Sequence, residues 1–138
     1  MNLSRRQTLV MGTAAAIFLP RMGWATATDN AIAAFTGGAE VAEATGLNLT
    51  APEIAENGNT VPIEVDAPGA ESIMILAAGN PTPSVGTFNF GPLAGSQAAS
   101  TRIRLAGTQD VVAIAKMADG TFQRASQEVK VTIGGCGG

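Results

Sequence analysis

The sequence predicts an all-β fold, an antiparallel β-sandwich with a short N-terminal helix and a flexible glycine-rich C-terminal arm. Three observations carry this expectation. About seven short apolar or alternating segments follow one another, with turn residues at roughly 8–15-residue intervals. Helical periodicity is confined to one short stretch near the start of the body. The last alternating segment runs directly into Gly134-Gly135-Cys136-Gly137-Gly138, which holds the only cysteine of the 138-residue chain.

The first residues read as a targeting segment. Arg5-Arg6 precedes a short apolar run over 9–19, then Pro20, Arg21 and Trp24, then Ala25-Thr26-Ala27, a small-x-small cleavage site. This is the pattern of a twin-arginine signal peptide over 1–27. The run is too short for a bilayer span, which needs about 20 residues. The mature chain is expected to start near Thr28, to reach the periplasm by the twin-arginine route, and to comprise a sandwich domain over 28–133 and an arm over 134–138. About 110 residues suit one domain with one core.

The mature part keeps five basic and all eleven acidic side chains. That balance argues against nucleic acid and anionic membranes and leaves room for a basic protein partner. Histidine and tyrosine are absent from the sequence, which excludes Ser-His and Cys-His catalysis, His-ligated metals and c-type haem attachment. The carboxylates Glu53, Glu56, Glu64 and Asp66 are scattered without metal-loop spacing. No metal site and no cofactor is expected.

In chain order, residues 29–35 form a plausible helix. Thr28 or Asp29 can cap it, alanines favour it, and Gly37-Gly38 end it. Ile32 and Phe35, three apart, dock on the body. Residues 47–50 alternate briefly, and Ile54 follows as a lone apolar residue. Glu56-Asn57-Gly58-Asn59 is a turn signal. Residues 60–66 alternate, with Val61, Ile63 and Val65 inward, and Pro62 belongs at an edge or a non-bonded position. Ala67-Pro68-Gly69 is the next turn. The continuous apolar run 72–78 predicts a strand covered on both faces. Residues 85–90 alternate; 100–105 place Ile103 and Leu105 inward and Arg102 and Arg104 outward; 111–116 form another apolar strand. Asp119-Gly120 predicts a hairpin. Residues 122–126 continue as strand or loop, and 128–133 form the last strand, with Val129, Val131 and Ile133 on one face. Met74 and Met117 are read as core, and Arg102 and Arg104 as a solvated strand face.

The glycines Gly134, Gly135, Gly137 and Gly138 give Cys136 a thin arm. Extended, residues 134–136 carry the sulfur about 10 Å from the last ordered residue. An odd cysteine in an exported chain signals intermolecular pairing or a reactive thiol. No cation lies near Cys136 in sequence, so nothing local lowers its pKa. Such a thiol suits activation inside a partner's active site, and the chain is not expected to be an enzyme. Exposed sandwich edges accept a partner strand, so a heterodimer is expected.

These residues resemble the SoxY family of sulfur carriers. The likeness rests on Val131-Thr132-Ile133-Gly134-Gly135-Cys136-Gly137-Gly138, on the twin-arginine segment, and on Ala51-Pro52-Glu53-Ile54-Ala55-Glu56-Asn57-Gly58. The resemblance implies an immunoglobulin-like sandwich that pairs with a SoxZ-like subunit, and it implies that Cys136 is the covalent attachment point for sulfur. It further implies c-type haem, manganese hydrolase and sulfur dehydrogenase partners that act in turn on the carried sulfur of thiosulfate oxidation. Two alternatives stay open. One is a carrier that loads sulfur on the terminal carboxyl of Gly137-Gly138 as a thiocarboxylate. The other is a non-catalytic exported sandwich that dimerises through Cys136.

Overall fold

The computed structural model describes residues 27–135. The twin-arginine segment over 1–26, and Cys136, Gly137 and Gly138, lie outside the described residues.

The fold is the expected β-sandwich. A helix, α1 (Ala27–Thr36), is followed by nine strands: β1 (Val41–Glu43), β2 (Asn48–Thr50), β3 (Ile54–Asn57), β4 (Val61–Asp66), β5 (Ala70–Ala77), β6 (Ser84–Asn89), β7 (Ala98–Ile103), β8 (Gln109–Met117) and β9 (Phe122–Ile133). One sheet has six strands in the order β1-β9-β8-β5-β6, with β3 also on β9; the other is β2-β4-β7.

Alternation along the strands explains the packing. In β4, Val61, Ile63 and Val65 are buried while the residues between them are exposed or half-exposed. Together with Ile103 and Leu105 they meet Ile73, Ile75, Val111, Ala113, Ala115 and Val129 between the sheets. The apolar run in β5 serves two faces. Ile73, Ile75 and Ala77 point to the inter-sheet core, and Met74 and Leu76 point the other way. β8 divides likewise, with Val112 and Ile114 joining Met74, Leu76 and Phe122 in a second cluster on the outer face. Helix α1 covers that cluster with Ala31, Ile32 and Phe35, and the Phe35 and Phe122 rings meet edge to face at 5.9 Å. The continuous run was thus correctly read as doubly covered, and Ile32 and Phe35 dock as expected. Met74 is core and Met117 packs against the inter-sheet core.

Several expectations are corrected. The helix already includes Ala27, so Thr28 and Asp29 lie in its first turn instead of preceding it. Thr28 is buried and its hydroxyl donates to the Ala78 carbonyl at 3.3 Å. The end is as predicted: Gly37 and Gly38 take φ of 66° and 84°, and the Gly38 amide donates back to the Ala33 carbonyl.

Nine strands replace about seven. β1 and β3 carry no alternating pattern, because each is held by backbone pairing to β9 and buries little; Ile54, read as isolated, opens β3 and is 63% exposed. Both pair with β9 in parallel, so the larger sheet is not purely antiparallel. Residues 122–126 and 128–133, read as separate, are one strand. Val129, Val131 and Ile133 do share a face, but burial fades along it: Val129 is fully buried, Val131 partly, and Ile133 is 66% exposed as β9 leaves the sandwich. Pro62 sits opposite Arg102 of β7, beyond the end of β2, which pairs only with residues 64–66. The hairpin turn is confirmed, with Gly120 at φ 86° and Asp119 accepting from the Thr121 amide and hydroxyl at 2.9 and 2.6 Å.

Candidate functional site

The candidate site begins where β9 leaves the sandwich. β8 stays opposite β9 only as far as Gln109, which faces Val129. Beyond it, the segment 104–108 takes over as the neighbour of β9. The Thr108 hydroxyl accepts from the Val131 amide at 3.0 Å, and the Leu105 carbonyl accepts from the Gly135 amide at 2.8 Å. On the other side, the Gly58 amide donates to the Ile133 carbonyl at 2.7 Å. The Leu105 amide donates to the Gly58 carbonyl at 2.8 Å. Three backbone bonds therefore link Gly58, Leu105 and the 133–135 segment to one another.

Glycine is required at these positions by crowding. A Cβ on Gly58 would lie 2.4 Å from the Leu105 carbonyl oxygen and 2.8 Å from the Gly135 nitrogen. A Cβ on Gly134 would lie 2.2 Å from the Ala106 carbonyl oxygen, and one on Gly135 would lie 2.7 Å from the Gly58 carbonyl oxygen. Real Cβ atoms do not approach backbone oxygen so closely, so each substitution would force segments apart. Gly58 and Gly135 are buried, and Gly134 is exposed.

The expected arm is thereby corrected at its base. Gly134 and Gly135, read from sequence as its first two free residues, are fastened to the body in this structure. The physical reason is that absence of a side chain permits close backbone approach as well as freedom. Cys136, Gly137 and Gly138 lie outside the described residues.

Behind this seat is a buried polar pair that the sequence did not announce. The side chains of Asn80 and Gln109 belong to residues each 8% exposed. Asn80 Nδ2 donates to the Arg104 carbonyl at 2.8 Å, and Asn80 Oδ1 accepts from the Ala106 amide at 2.9 Å. Gln109 Nε2 donates to Asn80 Oδ1 at 2.7 Å and to the Gly107 carbonyl at 3.0 Å; its Oε1 accepts from the Gly79 amide at 2.9 Å. Among the described residues no buried side-chain nitrogen or oxygen lacks a partner. The pair fixes the backbone of 104–107, and with it the Leu105 carbonyl. In the sequence, Gly79-Asn80 merely follows the apolar run 72–78, and nothing there announces the pair. The Asn57-Gly58 turn signal marked the right place without showing what it faces.

The other singled-out residues stand apart. Arg102 and Arg104 are exposed on the smaller sheet and the segment after it; Arg102 Nη1 donates to the Thr60 hydroxyl at 3.4 Å. Glu53, Glu56 and Glu64 are exposed and Asp66 is half-exposed. Among the described residues no group of three or more metal-ligating side chains comes together, and no helix is long and apolar enough to cross a membrane.

Comparison with known proteins places this geometry. The family model described as "Sulfur oxidation protein SoxY" matches residues 32–136. The solved structure of the sulfur carrier protein SoxY from Chlorobium limicola f thiosulfatophilum superimposes with a TM-score of 0.68 at 41% identity, covering 77% of this chain and 96% of that one. The superoxide reductase (neelaredoxin) from Ignicoccus hospitalis aligns with a TM-score of 0.55 at 18% identity, over 62% of this chain and 79% of that one. A putative superoxide reductase from Thermotoga maritima aligns with a TM-score of 0.52 at 18% identity, over 62% and 84%. These two share the sandwich fold. No match was found among curated proteins. With the family match running from α1 through the anchored glycines to Cys136, the chain belongs to the SoxY family and has a sulfur-carrier role in sulfur oxidation.

Proposed function

We propose that the chain carries the sulfur of thiosulfate oxidation covalently on the thiol of Cys136 and presents it to partner enzymes, without catalysing a step itself. The observation that carries this is that Cys136 comes directly after Gly135, which is anchored to the body just beyond the end of β9, within the matched family region. The body thus fixes Gly135, the residue that precedes Cys136 in sequence, and the Gly137 and Gly138 that follow carry no side chain.

The chemistry divides between carrier and partners. Cys136 supplies the sulfur nucleophile. Coupling its thiolate to thiosulfate forms a sulfur–sulfur bond and releases two electrons, which a c-type haem partner accepts. Water then attacks the terminal sulfonate sulfur in a manganese hydrolase partner; sulfate leaves, two protons are released, and a persulfide stays on Cys136. A sulfur dehydrogenase partner oxidises that remaining sulfane sulfur. A SoxZ-like subunit completes the carrier as a heterodimer, and the assembly works in the periplasm after twin-arginine export. The acidic balance of the mature chain supports recognition by basic partner surfaces.

The test is intact-protein and peptide mass spectrometry on protein isolated from thiosulfate-supplied cells, with and without a thiol reductant. A reductant-sensitive adduct on Cys136, absent from Cys136→Ser, is the expected result. Unmodified thiol or only a Cys136–Cys136 link would overturn it in favour of an accessory dimer. Sulfur on the carboxyl of Gly138 would overturn it in favour of a thiocarboxylate carrier.

A further inference from the structure

We propose that Gly58, backed by the buried Asn80–Gln109 pair, is the positioning element of the carrier thiol: it fastens Gly135 against Leu105 and makes residue 135, not residue 133, the fixed point from which Cys136 departs.

The inference rests on three linked observations. First, Gly58 is bonded on both sides, its amide to the Ile133 carbonyl and its carbonyl to the Leu105 amide. It therefore holds β9 and the 104–108 segment at a fixed spacing, and that spacing brings the Leu105 carbonyl within 2.8 Å of the Gly135 amide. Second, the spacing exists only without a side chain at 58, since a Cβ there would meet both the Leu105 carbonyl oxygen and the Gly135 nitrogen. Third, the Leu105 carbonyl is not free to follow Gly135 outward. Asn80 grips the backbone on both sides of it, at the Arg104 carbonyl and the Ala106 amide, and Gln109 grips the Gly107 carbonyl. Only the backbone bond joins Gly135 to a surface built to stay in place.

The consequence for a carrier is orientation. With Gly135 fastened, the sulfur-bearing residue follows directly on one held by the body, and the direction in which the chain leaves Gly135 is set. With Gly135 released, the tether gains two residues, about 7 Å of reach, and loses that direction. Misplacement of a reacting atom by about 1 Å can cost on the order of 100-fold in rate. Gly58, Asn80 and Gln109 act through the placement of Gly135.

Two readouts test this on the full mature protein. A nitroxide spin label on Cys136 reports how freely residue 136 moves, and amide hydrogen exchange reports the Gly135 bond directly. In wild type the Gly135 amide is expected to exchange at least about tenfold more slowly than an unstructured glycine amide. In Gly58→Ala and Gln109→Ala the protection is expected to fall away and the label to sharpen to fast motion. Gly86→Ala, where a Cβ meets nothing within 4 Å, is expected to behave as wild type. A merely structural role would lower stability in the variants without changing label mobility in the molecules that remain folded. Unprotected Gly135 in wild type, or unchanged mobility in folded Gln109→Ala, overturns the proposal even if Gly58→Ala does not fold. The expected functional effect, a drop of about tenfold or more in loading rate by the partner system, rests on the carrier role. If wild type fails to load at all, the carrier role fails while the label and exchange results still decide the anchor.

Discussion

Between its two sheets, and between the larger sheet and α1, the molecule is held by side chains; between Gly58, Leu105 and Gly135 it is held by backbone. At the centre, alternate residues of each strand fill the inter-sheet core and the cluster under α1, and several of them are fully buried. At the exit of β9, the contacts are amide-to-carbonyl bonds across positions that tolerate no Cβ, steadied by two buried carboxamides. The centre draws on burial of apolar area, worth roughly 1.5–3 kcal/mol for each large side chain. The exit draws on hydrogen bonds that net about 0.5–1.5 kcal/mol each. The first region sets whether the protein folds. The second sets where its last described residue stands, and a bond of that size can be opened by a modest competing interaction.

This contrast is best sharpened by substitutions that strike one region only. Leu76→Ala, in the doubly covered centre, is expected to cost about 2–5 kcal/mol in urea unfolding, with loading at Cys136 per folded molecule unchanged. Reduced loading in the folded fraction would show that the two regions are coupled. Gln109→Ala removes partners from Asn80 Oδ1, the Gly79 amide and the Gly107 carbonyl at once. It is expected to cost about 1–3 kcal/mol, with the loss concentrated in hydrogen-exchange protection of 104–108 and 133–135. Uniform loss across both sheets would make the pair an ordinary core element. The smallest effect is expected far from both, at the β8–β9 hairpin. The side-chain and backbone hydrogen bonds from Thr121 hold the Asp119 carboxyl below its ordinary pKa. A carboxyl depressed in the folded state stabilises above its unfolded-state pKa and loses that contribution as pH falls through the folded value. The melting-temperature gap between wild type and Asp119→Asn is therefore expected to be small at neutral pH and to close on acidification. A gap that widens in acid would contradict the hydrogen-bonded carboxylate.

What the sequence displayed follows the same division. Strands β4, β5 and β8, the docking of Ile32 and Phe35, and the turns at Gly37-Gly38 and Asp119-Gly120 were all legible, because side-chain periodicity and turn chemistry leave a local imprint. β1 and β3 were not, since a strand of three or four residues that pairs with β9 through its backbone needs no pattern of its own. The glycines of the site were conspicuous, but their meaning was ambiguous. Gly134-Gly135 looks the same in sequence whether it serves freedom or close approach, and only the position of Leu105 and Gly58 distinguishes the two. Asn80 and Gln109 were missed because a buried carboxamide pair twenty-nine positions apart has no local signature.

The pairing of β9 has a further consequence, for the order in which the molecule is assembled. β9 lies between β8 on one side and β1 and β3 on the other, and among the described residues it is the only strand that β1 and β3 pair with. During synthesis, the early segments 41–43 and 54–57 must wait for residues 122–133 before they find a place. Such distant pairing makes for slow, late completion of the sheet. The strand that completes it continues without interruption into Gly134 and Gly135, which find their seat only when Gly58 and Leu105 are already in theirs. An incompletely assembled body therefore has no seat for the base of its tail, so the anchoring of Gly135 marks a completed fold.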